Sequence, residues 1–265
     1  MNKYLPKVTG HALVLGAGGI GAEIVRALVA NGASAVSFTY NSSKEKAEAL
    51  KAELEAEGVK AYIFQLSGVT DETESDFAQS LQSAVDAVGE EVSVAVDTIG
   101  ISPNVDFLKQ NLNSVERDKE GWRRVFEINV FSSALAARVI LERMRERGMR
   151  GSYVVISSTN GINSYDEMSW PYDESKASLV LRPRILSKRY VKHGIRVNGV
   201  APGWVETPMN ELLPADYREQ ETRLIGVGRF ADPSEIASVV AFLSGSGASY
   251  VHGQTITVDG YYPLN

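Results

Sequence analysis

Residues 11–40 read HALVLGAGGIGAEIVRALVANGASAVSFTY. Two short apolar runs, His11–Leu15 and Ala35–Tyr40, flank a glycine-rich turn and a helical stretch. The runs are rich in Val, Leu, Phe and Thr, which suit pleated backbone. Ile24, Ala27 and Leu28 share one face of a helix of ordinary period. Between strand and helix stand Gly16, Gly18, Gly19 and Gly21, interrupted by Ala17 and Ile20. Glycines there let the chain turn tightly and approach a pyrophosphate. The helix N-terminus beyond them offers free N–H groups and the positive end of its dipole. A GxGxxG string is a weak signal by itself, since a plain glycine-rich turn looks the same. Its position after the first strand favours a dinucleotide site built on Gly16, Gly18, Gly19, Ile20 and Gly21.

The same alternation continues along the chain. Further strands are predicted at Ala61–Leu66, Val92–Val96, Ser152–Ser157, Arg196–Val200 and Thr255–Val258. Several are apolar throughout, as a sheet covered on both faces requires. Ala47, Leu50 and Leu54 mark an amphipathic helix, and Asp232-Pro233-Ser234-Glu235 opens another with Pro in its first turn. This βαβα rhythm predicts an α/β protein with a single-domain Rossmann fold over residues 1–265. Its core would be a doubly wound parallel sheet of about seven strands flanked by helices. No linker, repeat or low-complexity tract divides the chain.

Composition narrows the function classes. The chain has 265 residues, 44% of them hydrophobic and 23% charged, an ordinary globular balance. It has no Cys, which excludes disulfides, a thiolate nucleophile and a Cys-bound zinc. Its three His show no metal-ligand spacing, so no metal is expected. The formal net charge of −6 argues against a nucleic-acid binder. No apolar run is long enough to span a membrane. Lys3 and Lys7 before the run Ala12–Ala22 faintly imitate a signal peptide, but the glycines interrupt that run and a cytoplasmic protein is expected. The mixed charges of Glu142–Arg150 read as a solvated helix end rather than a binding patch.

The end of the second strand, Tyr40-Asn41-Ser42-Ser43-Lys44, bears on the cofactor. NAD-selective folds place an acid about 20 residues past the glycines, on the ribose hydroxyls. No acid lies between Glu23 and Glu45. Tyr40, Asn41, Ser42 and Lys44 offer donors and positive charge instead, which suits a 2′-phosphate and predicts NADP (NADPH) over NAD. Ser42 or Ser43 would also serve as a cap for the next helix.

Tyr172 and Lys176 are four residues apart, on one face of a predicted helix. The same spacing occurs at Tyr40 and Lys44, so context must separate the two. A Lys ammonium beside a phenol oxygen would lower the Tyr pKa from about 10 toward neutrality and make Tyr172 a workable acid or base. Ser158 ends the strand upstream, where ligands bind in open α/β sheets. A hydroxyl there can bond a substrate carbonyl.

Taken with the segments Arg196-Val-Asn-Gly-Val-Ala-Pro202-Gly203-Trp204-Val205-Glu-Thr207, Gly228-Arg-Phe-Ala-Asp-Pro-Ser-Glu235 and Gly253-Gln-Thr-Ile-Thr-Val-Asp-Gly260, the chain resembles the short-chain dehydrogenase/reductase family from about His11 to Gly260. The resemblance implies that Tyr172 is the catalytic acid/base, that Lys176 tunes it and holds the nicotinamide ribose, and that Ser158 orients the substrate carbonyl. It implies that Asn129 supports a proton relay, and that Pro202, Gly203, Val205 and Thr207 face the nicotinamide. Three departures stand out. Leu15 replaces the usual Thr before a glycine loop one residue short. Asp97-Thr98-Ile99-Gly100 replaces NNAG, leaving only Gly100. Ser67 or Gly68 replaces the usual Asp near the adenine.

The expected function is NADP-dependent interconversion of a ketone and a secondary alcohol. The resemblance is closest to the 3-oxoacyl-carrier-protein reductase-like branch, with an acyl thioester substrate and acyl carrier protein as a partner that Arg143, Arg145, Arg147 and Arg150 could meet. The alternatives are a sugar, polyol or hydroxysteroid dehydrogenase and, from another class, a dinucleotide-sensing protein without turnover. The enoyl reductase branch is disfavoured, because its Tyr lies seven residues before the Lys and that position here is Ser169. Asn160, Trp170, Trp204 and Met209 are the candidate substrate residues, and a loop at Pro103–Glu120 is expected to cover the site. A homo-oligomer, dimer or tetramer, is implied. Pro183, about three turns into the Tyr172 helix, is expected to kink it.

Overall fold

A computed structural model describes residues 7–68, 74–86, 91–102, 115–163, 170–211 and 213–263. Seven strands form one sheet: β1 (His11–Leu15), β2 (Ala35–Tyr40), β3 (Lys60–Gln65), β4 (Val92–Asp97), β5 (Gly151–Ile156), β6 (Ile195–Pro202) and β7 (Thr255–Val258). Their order is β3-β2-β1-β4-β5-β6-β7, and every pairing is parallel. Strand β1 pairs with both β2 and β4, so the order reverses beside it. That reversal opens a crevice at the carboxyl ends of the strands.

The helices are α1 (Ile20–Ala30), α2 (Lys44–Ala56), α3 (Glu74–Asp86), α4 (Val115–Phe126), α5 (Ser133–Glu146), α6 (Trp170–Tyr190), α7 (Ala215–Leu224) and α8 (Pro233–Ser244). A π-helical turn, Glu127–Ser132, joins α4 to α5. Alternate strand residues face opposite sides, which divides the core in two. On one side Ala12, Val14, Val36 and Phe38 pack with Ile24, Leu28, Leu50, Leu54, Ile236 and Val240 from α1, α2 and α8. On the other, Leu13, Leu15, Ala95, Tyr153 and Val155 pack with Leu81, Ile140, Leu141 and Leu179 from α3, α5 and α6. The doubly wound parallel sheet of seven strands read from the sequence is therefore the fold. Strands β3 and β5 begin and end one residue before the predicted bounds, and β6 runs on to Pro202.

Local chemistry fixes several helix ends. Asp232 accepts from the Ser234 N–H while Glu235 accepts from the Asp232 N–H, a complete capping box for α8. Ser43 stands at the N-cap of α2 but makes no side-chain cap bond. Helix α6, expected to kink at Pro183, continues through it as one helix. Pro183 is buried, and Gly199 on β6 makes room for it: a Cβ there would stand 3.1 Å from the Pro183 ring. Thr255 Oγ1 supplies a donor, 2.9 Å from the Val180 carbonyl, to the turn ahead of the proline.

Three of the four arginines expected to greet an acidic carrier are already paired. Arg143 meets Asp86 at 2.6 Å and Glu91 at 3.3 Å, Arg145 meets Glu142 at 2.7 Å, and Arg147 meets Glu91 at 3.4 Å. Among the described residues, no helix is long and apolar enough to cross a membrane, and no group of three or more His, Cys, Asp or Glu could hold a metal ion.

Candidate active site

The crevice holds a cleft of about 810 Å³, within the size range of small-molecule sites. The glycine turn forms one end. Its Ala17 N–H donates to the Thr39 carbonyl at 2.8 Å, and the Gly16 N–H to the Thr39 hydroxyl at 2.9 Å. The Thr98 hydroxyl lies 2.8 Å from the Leu15 carbonyl oxygen and 2.5 Å from that of Gly16. Thr98 thus ties β4 to the loop in place of the amide that the family pattern has there. Gly21 is required by crowding, since a Cβ there would stand 2.0 Å from the Gly16 carbonyl oxygen. Gly18 faces open space. A bare backbone surface at a helix N-terminus, with this much room beside it, fits a dinucleotide pyrophosphate.

Every predicted cofactor residue but one lines this cleft: Gly16, Gly18, Gly19, Ile20, Gly21, Tyr40, Asn41, Ser42, Gly100, Tyr172, Lys176, Pro202, Gly203, Val205 and Thr207. The exception is Lys44, which turns to Glu48 at 3.4 Å on the exposed flank of α2. Lys46, one half-turn on, lines the cleft with Ser42 and Ser43 instead. Helical geometry explains the change: residues two apart point to different faces, and strand-end spacing does not say which faces inward.

At the other end Ser158, Tyr172 and Lys176 meet. Ser158 follows β5 and caps the short turn Thr159–Gly161, accepting from the Asn160 N–H at 3.2 Å. Helix α6 packs directly on that turn, because Gly161 has no side chain: a Cβ would come within 2.5 Å of the Lys176 backbone. The Ser158 hydroxyl donates to Asn160 Oδ1 at 3.2 Å and also eases ionisation of the Tyr172 phenol. Lys176 is 5% exposed, with its ammonium 3.4 Å from the Ile156 carbonyl oxygen.

The phenol does not behave as its spacing from Lys176 predicts. Burial pushes Tyr172 up to about 12, against the bond from Ser158 and helped by the Asp173 carboxylate. Burial also brings Lys176 down to about 8, with the Asp97 carboxylate opposing and Arg182 assisting. The Lys176 ammonium sits over the Tyr172 ring, 5.5 Å from its centre. Desolvation is the largest influence on both groups, and Tyr172 carries its proton at neutral pH.

Asn129 is fully buried in the π-helical turn and does not line the cleft. Its Oδ1 accepts from the Ile101 N–H at 2.8 Å. Its Nδ2 donates to the Ile101 carbonyl at 3.0 Å and to the Ser175 hydroxyl at 2.9 Å. Gly100 lies between it and Lys176: a Cβ there would stand 3.1 Å from Lys176 Nζ and 3.4 Å from Asn129 Oδ1.

Of the candidate substrate residues, Asn160, Trp204 and Met209 line the cleft. Trp204 stacks on Phe230 with ring centres 5.3 Å apart and donates to Glu221 at 2.8 Å. Trp170 does not line it. Its indole donates to Glu174 at 2.8 Å and stands edge-on to Trp122, so it braces α6 against α4. Sequence reasoning missed Lys46, Phe77, Arg124 and Tyr217, which line the cleft from helices whose inner faces only the packed fold reveals. The covering loop expected at Pro103–Glu120 lies outside the described residues, apart from the backbone at the start of α4.

Known proteins share this architecture. A family model described as enoyl-(acyl carrier protein) reductase matches residues 14–262. Cis-4-hydroxycyclohexanecarboxylate dehydrogenase of Sinomonas cyclohexanicum is 34% identical over 252 residues, 95% of each chain. A 3-oxoacyl-acyl-carrier-protein reductase of Staphylococcus aureus is 32% identical, covering 96% of this chain and 98% of its own. Among solved structures, a blue fluorescent protein from a metagenomic library, in complex with NADPH, superposes with a TM-score of 0.81 at 29% identity, over 96% of this chain and 98% of its own. With the parallel sheet, the glycine turn and the Ser158–Tyr172–Lys176 cluster, these likenesses establish that the chain belongs to the short-chain dehydrogenase/reductase family of oxidoreductases.

Proposed function

We propose that this protein reduces a ketone to a secondary alcohol, and runs the reverse reaction, with NADP(H) as its cofactor. The meeting of Ser158, Tyr172 and Lys176 at one end of a cleft whose other end is the glycine turn carries this reading. Gly16 to Gly21 would hold the pyrophosphate, and Asn41, Ser42, Ser43 and Lys46 a 2′-phosphate. Lys176 would hold the nicotinamide ribose, and Pro202 to Thr207 would wall the nicotinamide. The bound nicotinamide supplies the hydride.

The remaining chemistry belongs to this chain. The Ser158 hydroxyl donates to the substrate carbonyl and fixes its oxygen. The Tyr172 phenol, held protonated by burial, gives its proton to that oxygen as negative charge develops there. The Lys176 ammonium stabilises the phenolate left behind. Asn129 anchors the Ile101 backbone and Ser175 behind Lys176, keeping that wall in place.

Trp204, Met209, Leu213 and Tyr217 give the substrate end an apolar wall. That wall favours a substrate with a carbon chain or ring beside its carbonyl, and the similarity to a 3-oxoacyl reductase makes a 3-oxoacyl thioester the first candidate. The Sinomonas relative, named for a hydroxycyclohexane carboxylate, keeps a cyclic secondary alcohol as the second. An acyl carrier protein as partner rests on the relative's name, because Arg143, Arg145 and Arg147 are engaged by acids. A homo-oligomer in the cytoplasm completes the proposal, with Phe131, Leu181 and Ile185 as exposed apolar surface for a second copy.

The test is NADPH oxidation with a panel of ketones, 3-oxoacyl thioesters included, for the parent and Tyr172→Phe. Turnover by the parent and its loss in the variant are expected. Equal rates in the two would overturn the assignment, and NADPH binding without turnover in the parent would favour a sensing protein.

A further inference from the structure

The carboxyl end of β4 carries a charge that the reaction above does not use. Asp97 is 1% exposed. It accepts from the Tyr153 hydroxyl on β5 at 3.0 Å, from the Ile99 N–H at 3.1 Å and from the Ser133 hydroxyl at the start of α5. Ser133 in turn accepts from the guanidinium of Arg182 on α6. The other arm of that guanidinium donates to the Val130 carbonyl at 3.0 Å, inside the π-helical turn that carries Asn129. A π-helical turn disturbs the usual ladder of backbone bonds, so a side-chain donor there fixes its shape. The titratable groups that face this cluster are Tyr153 on β5 and Lys176 and Arg182 on α6. Burial and the neighbouring carboxylate hold Tyr153 well above its ordinary range, as a donor.

We propose that Asp97 and Arg182, joined through Ser133, are a pair of positioning residues that hold Lys176 and the Asn129 turn in working arrangement. Three observations converge on it. Asp97 fixes the Ile99 backbone, one residue before Gly100, which packs against Lys176 Nζ. Arg182 fixes Val130, one residue after Asn129. Two cations, Lys176 and Arg182, share one buried region, and Asp97 is the anion interacting with both. A buried cation is costly unless paired, so the carboxylate favours the charged form of Lys176 while Arg182 opposes it.

The inference rests on the proposed reductase reading and has its own signature. Asp97→Asn removes the anion and leaves both cations. The alkaline limb of kcat/KM for ketone reduction should then move to lower pH, by about one unit, the low end for loss of an interacting opposite charge. Arg182→Met should move it to higher pH, Arg182→Lys should leave it in place, and Asp97→Asn with Arg182→Met should return it toward the parent. A merely structural pair would lower stability without this opposed pattern. Limbs that coincide with the parent's in folded variants, or that move in the same direction, overturn the role. Should Asp97→Asn not fold, the upward movement in Arg182→Met against Arg182→Lys decides it. A parent that turns over no ketone overturns the function and this role together; a parent that does, with unmoved limbs, overturns this role alone.

Discussion

Lys176 Nζ lies 5.5 Å from the centre of the Tyr172 ring, over its face. The two side chains share one helix face, as their four-residue spacing requires, and the phenol is still harder to ionise than in water. That suits the direction of reduction, where the phenol must arrive with its proton. Tyr172→Phe should cut turnover at least 100-fold, the low end of what a positioned acid contributes, while leaving NADPH affinity within a factor of about three. Steady-state rates beside fluorescence titration of NADPH check both halves.

The Tyr172–Lys176 pair also shapes stability against pH. Lys176 is held at about 8, below its ordinary 10.5, so between those values the unfolded chain carries the extra proton. Stability from this group is present above pH 10.5 and is lost as pH falls through 8. Tyr172, raised from 10 to about 12, works oppositely: its contribution is present below pH 10 and is lost as pH rises through 12. Melting temperatures of the parent minus those of Lys176→Met should therefore rise between pH 8 and 10.5. A flat difference across that window would contradict the buried setting of Lys176.

Lys46, and not Lys44, stands on the cleft. The parent should bind NADPH at least tenfold tighter than NADH, about 1.4 kcal/mol. Lys46→Ala should remove most of that preference by weakening NADPH alone. Lys44→Ala should leave both dissociation constants unchanged, because an exposed pair with Glu48 contributes little to anything else. Titration of the three proteins with both nucleotides separates these outcomes.

Two glycines of the turn should respond differently to the same added methyl. At Gly21 a Cβ meets the Gly16 carbonyl oxygen at 2.0 Å, so Gly21→Ala should destabilise the fold by several kcal/mol or prevent it. At Gly18 a Cβ meets nothing within 4 Å, so Gly18→Ala should melt within about 0.5 kcal/mol of the parent and lose nucleotide affinity. Thermal melts read the first effect and NADPH titration the second.

The sheet was legible because its strands are apolar runs set at βαβ intervals, and because Gly16 to Gly21 falls between the first of them and a helix. Tyr172, Lys176 and Ser158 were legible through spacing and strand position. What escaped depends on the register of neighbouring elements. Asp97 meets Tyr153 only because β4 and β5 pair with Asp97 beside Val155, and Arg182 joins them only when α6 packs on the π-helical turn. The fall of Lys176 to about 8 is likewise a property of the packed site, since burial has no sequence signature of its own. Trp170 was misplaced for a related reason: a Trp at a helix start reads as pocket wall or brace alike until α4 is seen beside it.

Asn129 grips residue Ile101 by both its N–H and its carbonyl oxygen, much as an adjacent strand would. One side chain thereby extends β4's neighbourhood by a single rung beyond the sheet. Only a short amide has a donor and an acceptor at that reach: aspartate repels the carbonyl, leucine matches neither group, and glutamine is a carbon too long. Position 129 is thus spelled by the backbone opposite it, and a substitution there would be felt first as a loosened rim and only then as slower chemistry.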